Sequence, residues 1–338
     1  MPEGPSIVIA KEALEQFKGK KILDVSGYGK LDKKLIKGKT VKEVTTWGKH
    51  LIIVLGKKLA IRVHFMLFGS YKINERAAKA NPKLSLSFKE GELNFYVSQI
   101  VLIQEDLDSV YDWSADIMNK SWDPGKAGDK VLAKPNTFIC DVLMDQHIFS
   151  GVGNIIKNEV MYSAKLHPEN IIADVPKEKI NFLTKEVHRY SFDFLKWKRA
   201  GTLLKHCNVY KQEYCAVCGG EVTVKDGGKT KRRNYYCEHD QVKYSSDELH
   251  SKQHKTSPNK LTPAKGTTVK ALTVKATTIK ATTNKVAIKK AATNKTTTNN
   301  VTTKKAARNK ATTKKAISNN TTNKSTTNKT HPKKAKSN

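Results

Sequence analysis

At 338 residues the chain is long enough for two domains with their own cores, and it has no run of roughly eighteen apolar residues that would make a membrane span. Its net charge of +31 points to a polyanionic partner, and residues 251–338, with 22 Lys and Arg and no acidic residue, leave +9 for residues 1–250. Five cysteines, an odd number behind a start (MPEGPSIVIAKEALEQF) with no basic segment and no long apolar stretch, argue against a secreted disulfide framework and for an intracellular protein.

In chain order, a helix is expected over Ile7 to Phe17. Residues 20 to 110 follow with short β-rich runs (KKILDVSG, VKEVTTWG, HLIIVLG, LAIRVHF, LSLSFK, LNFYVSQIVLI) separated by Gly, Asn and Lys turns, the spacing of an antiparallel sandwich or barrel. From 136 to 200 the apolar period becomes helical, with Ile139, Val142 and Leu143 on one face and Ile156, Val160 and Ala164 on another. One helix is expected to end near Phe149 and the next to open at Gly151-Val152-Gly153-Asn154. Residues 207 to 244 return to a short β pattern bracketed by cysteines. Beyond about 252 the sequence reduces to Lys, Thr, Asn and Ala without an aromatic residue, a composition that cannot offset chain entropy and predicts a disordered basic arm.

Three constellations carry chemistry. Removal of Met1 would expose the Pro2 nitrogen as a secondary amine able to attack a sugar C1′, with the Glu3 carboxyl beside it for proton transfer. In GVGN, two glycines permit close backbone approach, and Asn154 with the first N–H groups of its helix favours a phosphate. Cys215-Ala-Val-Cys218 and Cys237-Glu-His239-Asp240 resemble the knuckles of a zinc ribbon. Three thiolates are clear; spacing favours Asp240 as the fourth ligand and ligand chemistry favours His239. Arg232, in the hairpin between the knuckles, can reach a phosphate bidentately.

The order MPEGP, WGKHL, GVGN, RRNYYC resembles the formamidopyrimidine-DNA glycosylase/endonuclease VIII family over residues 1 to about 244. The resemblance implies an α+β fold: an N-terminal antiparallel β-sandwich with a flanking helix (residues 1–120), a helix-two-turns-helix DNA-binding part (121–205) and a zinc-finger-like β-hairpin (206–244), before the tail (245–338). It casts Pro2 as Schiff-base nucleophile, Glu3 as the acid acting on the sugar, and Lys49 as a phosphate-engaging catalytic lysine. By the same resemblance Asn154 and Arg232 match the pair that grips phosphates at the lesion, and Leu67 the side chain that fills the hole left by a flipped base.

Asp240 stands near the position of the family's usual fourth finger cysteine, which leaves an atypical zinc site or a finger that keeps its hairpin without metal. Two further departures, together with Gly4 in MPEGP, point to the endonuclease VIII-like branch. Ser98-Gln99-Ile100 replaces the Arg and Phe that probe the opposite base, and RAGTLLKHCNVYKQEYC is short where the purine-directed branch carries a longer loop. The expectation is a monomeric bifunctional glycosylase/AP lyase of base excision repair, favouring oxidised pyrimidines in duplex or single-stranded DNA, in cytoplasm or nucleus. One structural zinc and no catalytic cofactor are expected. A non-catalytic DNA-binding protein using finger and tail is the alternative, in which Pro2, Glu3 and Lys49 are dispensable.

Overall fold

The computed structural model describes residues 2–245. The tail from residue 246 and the expected loss of Met1 lie outside the described residues. Within them the β-rich runs form β1 (Asp24–Ser26), β2 (Glu43–Trp47), β3 (His50–Gly56), β4 (Leu59–His64), β5 (Ser70–Ile73), β6 (Leu84–Phe88), β7 (Gly91–Tyr96) and β8 (Gln99–Ile103). They make two four-stranded antiparallel sheets, β1-β6-β7-β5 and β2-β3-β4-β8, the sandwich that the spacing predicts.

Strand β3 reads as a continuous apolar run because both of its faces are covered. Leu51, Ile53 and Leu55 join Ile61 and Val63 of β4 and Leu86, Leu93 and Phe95 of the other sheet in one core. Ile52 faces the opposite way, into a cluster with Trp47, Ala60, Ile103 and Tyr111. Helix α1 (Gly4–Leu14) starts three residues before the expected position, with Pro5 in its first turn, where a missing N–H costs nothing. Its Ile7, Ala10 and Leu14 complete the inter-sheet core.

The helices that follow are α2 (Leu107–Val110), α3 (Pro124–Leu132), α4 (Ile139–Val142), α5 (Asn154–Ser163) and α6 (Lys177–Arg199). The two apolar faces predicted here meet in one cluster, where Ile139, Val142, Leu143, Ile156, Val160 and Ala164 pack with Leu183 and Val187 of α6. Helix α4 ends at Val142, short of Phe149, because side chains capture the next backbone groups. Asp145 accepts the His147 N–H at 2.9 Å, and the Gln146 amide accepts from Gly151 at 3.1 Å and donates to Val152 O at 3.1 Å. Two turns therefore separate α4 from α5, giving the helix-two-turns-helix arrangement. Strands β9 (Thr223–Gly227) and β10 (Arg232–Tyr236) form an antiparallel hairpin, joined to α5 through a cluster of Tyr162, Val209, Cys215, Val222 and Cys237.

Candidate functional site

Strands β2 and β3 are joined by a two-residue turn, Gly48-Lys49. Gly48 has φ +52, and a Cβ there would lie 1.9 Å from Ser150 Oγ and 2.8 Å from Gly151 N, so only glycine lets the hairpin tip meet the turn ahead of α5. Asp116 fixes the same contact. Its buried carboxylate accepts the N–H groups of Gly48 and of Met118, the latter at 2.9 Å, and burial pushes its pKa up to about 6.

Lys49 lines a cleft of about 370 Å³ together with Pro2, Trp47, Leu67, Gln146 and Arg232. Burial lowers the Lys49 pKa below the ordinary lysine range; Glu3 works against the shift and Arg232 adds to it. His50, also on the cleft, is driven to a pKa of about 3 by burial and by Arg62, and is neutral at physiological pH.

Glu3 is buried behind Pro2, and its carboxylate accepts the N–H groups of Ile155 at 2.8 Å, Gly153 at 3.1 Å and Ile156 at 3.2 Å. Burial raises its pKa, opposed by Lys49 and by these three donors. Gly153 is indispensable here, since a Cβ on it would sit 2.4 Å from Glu3 Cδ. This geometry corrects the sequence reading of GVGN. The N–H groups opening α5, expected to face a phosphate, are occupied by Glu3, and Gly153 makes room for a carboxylate of the same chain. Asn154 is the first residue of α5, and its Oδ1 is buried without a hydrogen-bond partner among the described residues.

Leu67 belongs to the surface. It lies in the turn Met66-Leu67-Phe68 between β4 and β5, where the three side chains are 49, 52 and 76% exposed and Met66 has φ +53. Arg232 opens β10 opposite Gly227 and makes no ion pair among the described residues, whereas Arg233 pairs with Asp226 at 3.1 Å.

The donor atoms of Cys215, Cys218, Cys237 and Asp240 all lie within 4.8 Å of one another. Cys218 Sγ is 3.3 Å from Cys237 Sγ, and Asp240 Oδ2 accepts from Cys215 Sγ and from the Tyr162 hydroxyl, each at 3.1 Å. Three thiols and a carboxylate converging in this way fit a tetrahedral zinc ion. The converging group contains Asp240, the candidate that spacing favours, and does not include His239. The chain turns back after Cys237, with the Gln241 N–H donating to Cys237 O, which returns Asp240 to the cysteines; the His239 ring lies against Gly220, beside Cys218.

Comparison with known proteins agrees with this architecture. Residues 1–99 match the formamidopyrimidine-DNA glycosylase N-terminal domain, and residues 123–191 match the formamidopyrimidine-DNA glycosylase H2TH domain. The chain is 32% identical over 222 residues to endonuclease 8-like 3 of Mus musculus, which covers 61% of this chain and 35% of that protein. It belongs to the formamidopyrimidine-DNA glycosylase/endonuclease VIII family. A second family relative, endonuclease 8-like 2 of Bos taurus, is 32% identical over 209 residues, or 57% of this chain and 61% of that one. The chain thus spans about a third of the length of the endonuclease 8-like 3 proteins it matches. Among solved structures of the family, the Lactococcus lactis formamidopyrimidine-DNA glycosylase bound non-covalently to AP-site-containing DNA shares the fold. Its TM-score is 0.63 at 22% identity, covering 71% of this chain and all of that one. The same enzyme with DNA carrying an oxidised pyrimidine gives 0.64.

The roles of two site residues were not legible in the sequence. Asp116 lies in no recognisable motif. Gly153 was visible as a close-approach glycine, but the group it approaches is 150 residues away in sequence. Among the described residues no helix is long and apolar enough to cross a membrane.

Proposed function

We propose that this chain is a bifunctional DNA glycosylase and AP lyase of base excision repair that removes oxidised bases, pyrimidines in preference to purines, through a Schiff base on Pro2. The observation that carries the reading is the shared cleft: Pro2, Lys49, Leu67 and Arg232 line one cavity, with Glu3 buried directly behind the proline. With Met1 removed and nothing ahead of Pro2, the amine lone pair attacks C1′ and the bond from C1′ to the base nitrogen breaks, the base leaving with that electron pair and taking up the proton that the proline nitrogen gives up. The sugar ring opens as its oxygen takes a proton from Glu3, whose raised pKa suits a carboxyl that must hold one.

The resulting iminium acidifies the C2′ proton, and its loss expels the 3′ phosphate; a second elimination releases the 5′ phosphate. Lys49, with a lowered pKa, engages a neighbouring phosphate and moves protons during these steps. Arg232 and the Asn154 amide hold the backbone around the extruded nucleotide, and Leu67 enters the stack in its place. Zinc on Cys215, Cys218, Cys237 and Asp240 would tie the two knuckles together and take no part in the chemistry. The working division is residues 1–120 for catalysis, 121–205 and 206–244 for gripping DNA, and the basic tail for added affinity. The enzyme acts as a monomer wherever intracellular DNA is found.

The test is borohydride reduction during incubation with DNA carrying an abasic site or thymine glycol. A covalent adduct is expected, and a residue added ahead of Pro2 abolishes it. Failure to trap, or trapping that survives the added residue, would falsify the mechanism and leave a non-catalytic DNA-binding protein.

A further inference from the structure

Helix α5 carries three consecutive polar side chains, Lys157, Asn158 and Glu159, all buried. Charged groups stay buried only where hydrogen bonds replace their water. Glu159 is accounted for by the N–H groups of Asn208, Val209 and Tyr210, at 2.8, 3.0 and 2.7 Å. Lys157, with no exposed surface, has no carboxylate at ion-pair distance among the described residues. Its ammonium donates instead to Asn234 Oδ1 at 2.6 Å and to Arg233 O at 3.2 Å, in the two residues that follow Arg232 on β10. Asn158 extends the tie, its Oδ1 accepting the Tyr235 N–H at 3.1 Å. At the tip of the hairpin, Asp141 of α4 accepts the N–H groups of Lys229 at 2.6 Å and Thr230 at 3.2 Å.

We infer that Lys157 is a positioning residue for Arg232: by holding the Arg233 carbonyl and the Asn234 side chain, it sets the register in which Arg232 reaches the cleft that Pro2 lines. The inference rests on the reading that Arg232 grips DNA phosphate. Strand geometry supplies the link. Successive side chains alternate across β10, so fixing Arg233 and Asn234 decides which face Arg232 presents. Arg233 is neutralised by Asp226, which leaves Arg232 as the free guanidinium of the pair. None of these contacts uses Cys215, Cys218, Cys237 or Asp240, so the tie and the metal ligands hold the hairpin at separate points. An apolar residue at 157 would take the Lys157 donor from Asn234 Oδ1 in a buried site and leave the Arg233 carbonyl with only the longer contact from Asn158 Nδ2, at 3.5 Å.

The groups facing the ammonium are Cys140 and Asp141 of α4, Arg232 of β10 and Glu3; burial dominates and brings Lys157 to a pKa of about 8. A neutral amine keeps two N–H donors, enough for both acceptors, so the tie survives deprotonation.

The experiment is a double-mutant cycle read by fluorescence anisotropy on duplex DNA bearing a non-cleavable abasic analogue. Lys157→Met and Arg232→Ala are each expected to raise Kd roughly tenfold, and the double variant is expected to be no weaker than Arg232→Ala alone. A merely structural role for Lys157 would instead make the two losses multiply, which overturns the inference, as does an unchanged Kd for Lys157→Met. Asn234→Ala breaks the same tie from the strand side and must give the same non-additive pattern, which covers the case of Lys157→Met failing to fold. An unchanged Kd for Arg232→Ala overturns both the inference and the phosphate role of Arg232. Borohydride trapping of Lys157→Met, which retains Pro2, Glu3 and Lys49, reports on the enzymatic reading separately.

Discussion

Glu3 occupies a position that a free anion would otherwise take. The start of a helix offers unpaired N–H groups and a positive dipole end, and here three of those donors converge on one carboxylate. The result is an acid whose orientation is fixed by the start of α5, with burial keeping its proton affinity high. The arrangement depends on the missing side chain of Gly153. Gly153→Ala would place a methyl group 2.4 Å from Glu3 Cδ, an overlap that either expels Glu3 or shifts α5. The expected outcome is a loss of about 1–3 kcal/mol in stability and a fall of roughly 100-fold or more in single-turnover base excision, the scale of a misplaced general acid. Excision within a few-fold of the parent would show that Glu3 needs no such seat.

At the scale of elements, the turn Gly48-Lys49 is held between the β-sandwich and the helices by Asp116, whose pKa of about 6 carries a pH signature. A carboxyl group with a raised folded-state pKa binds its proton more tightly in the folded protein. Its stabilising contribution is complete below the unfolded value of 3.8 and is lost as pH rises through 6. Asp116→Asn keeps an acceptor for the Gly48 and Met118 N–H groups without the ionisation. Its unfolding free energy relative to the parent should therefore rise between about pH 4 and pH 7, by about 3 kcal/mol for a shift of this size, and then stay level. Urea unfolding across that range measures it, and a difference independent of pH would remove Asp116 from this role.

Elements were also the scale at which the sequence was most readable. Apolar periodicity is a local property, so the strands between residues 20 and 110 and the faces led by Ile139 and Ile156 could be read directly. The end of α4 could not, because it depends on which backbone groups the Asp145 and Gln146 side chains capture. Between His239 and Asp240, spacing and ligand chemistry point opposite ways, and it is the turn after Cys237 that brings the Asp240 carboxylate to the thiols. Lys157 gave no signal at all, since an isolated lysine in a helix ordinarily lies on the surface.

For the whole molecule, the charge is divided unequally: residues 251–338 carry 22 Lys and Arg without an acidic residue, against a net +9 on residues 1–250. The site chemistry is contained in the smaller share, while counterion release depends on every cation that meets a phosphate. Each such contact adds roughly 0.9 to the slope of log K against log salt on duplex DNA. If the tail lies along the backbone, deleting residues 256–338 should weaken binding strongly at low salt and flatten that slope by several contacts, and the affinities of the two proteins should converge as salt rises. Trapping at saturating enzyme should proceed at the parent rate, because Pro2, Glu3, Lys49 and Arg232 are untouched. Titrations of both proteins at three or more salt concentrations make the comparison. Parallel lines with equal affinity would mean that the tail's charge never reaches the duplex, and that residues 1–255 alone carry the binding.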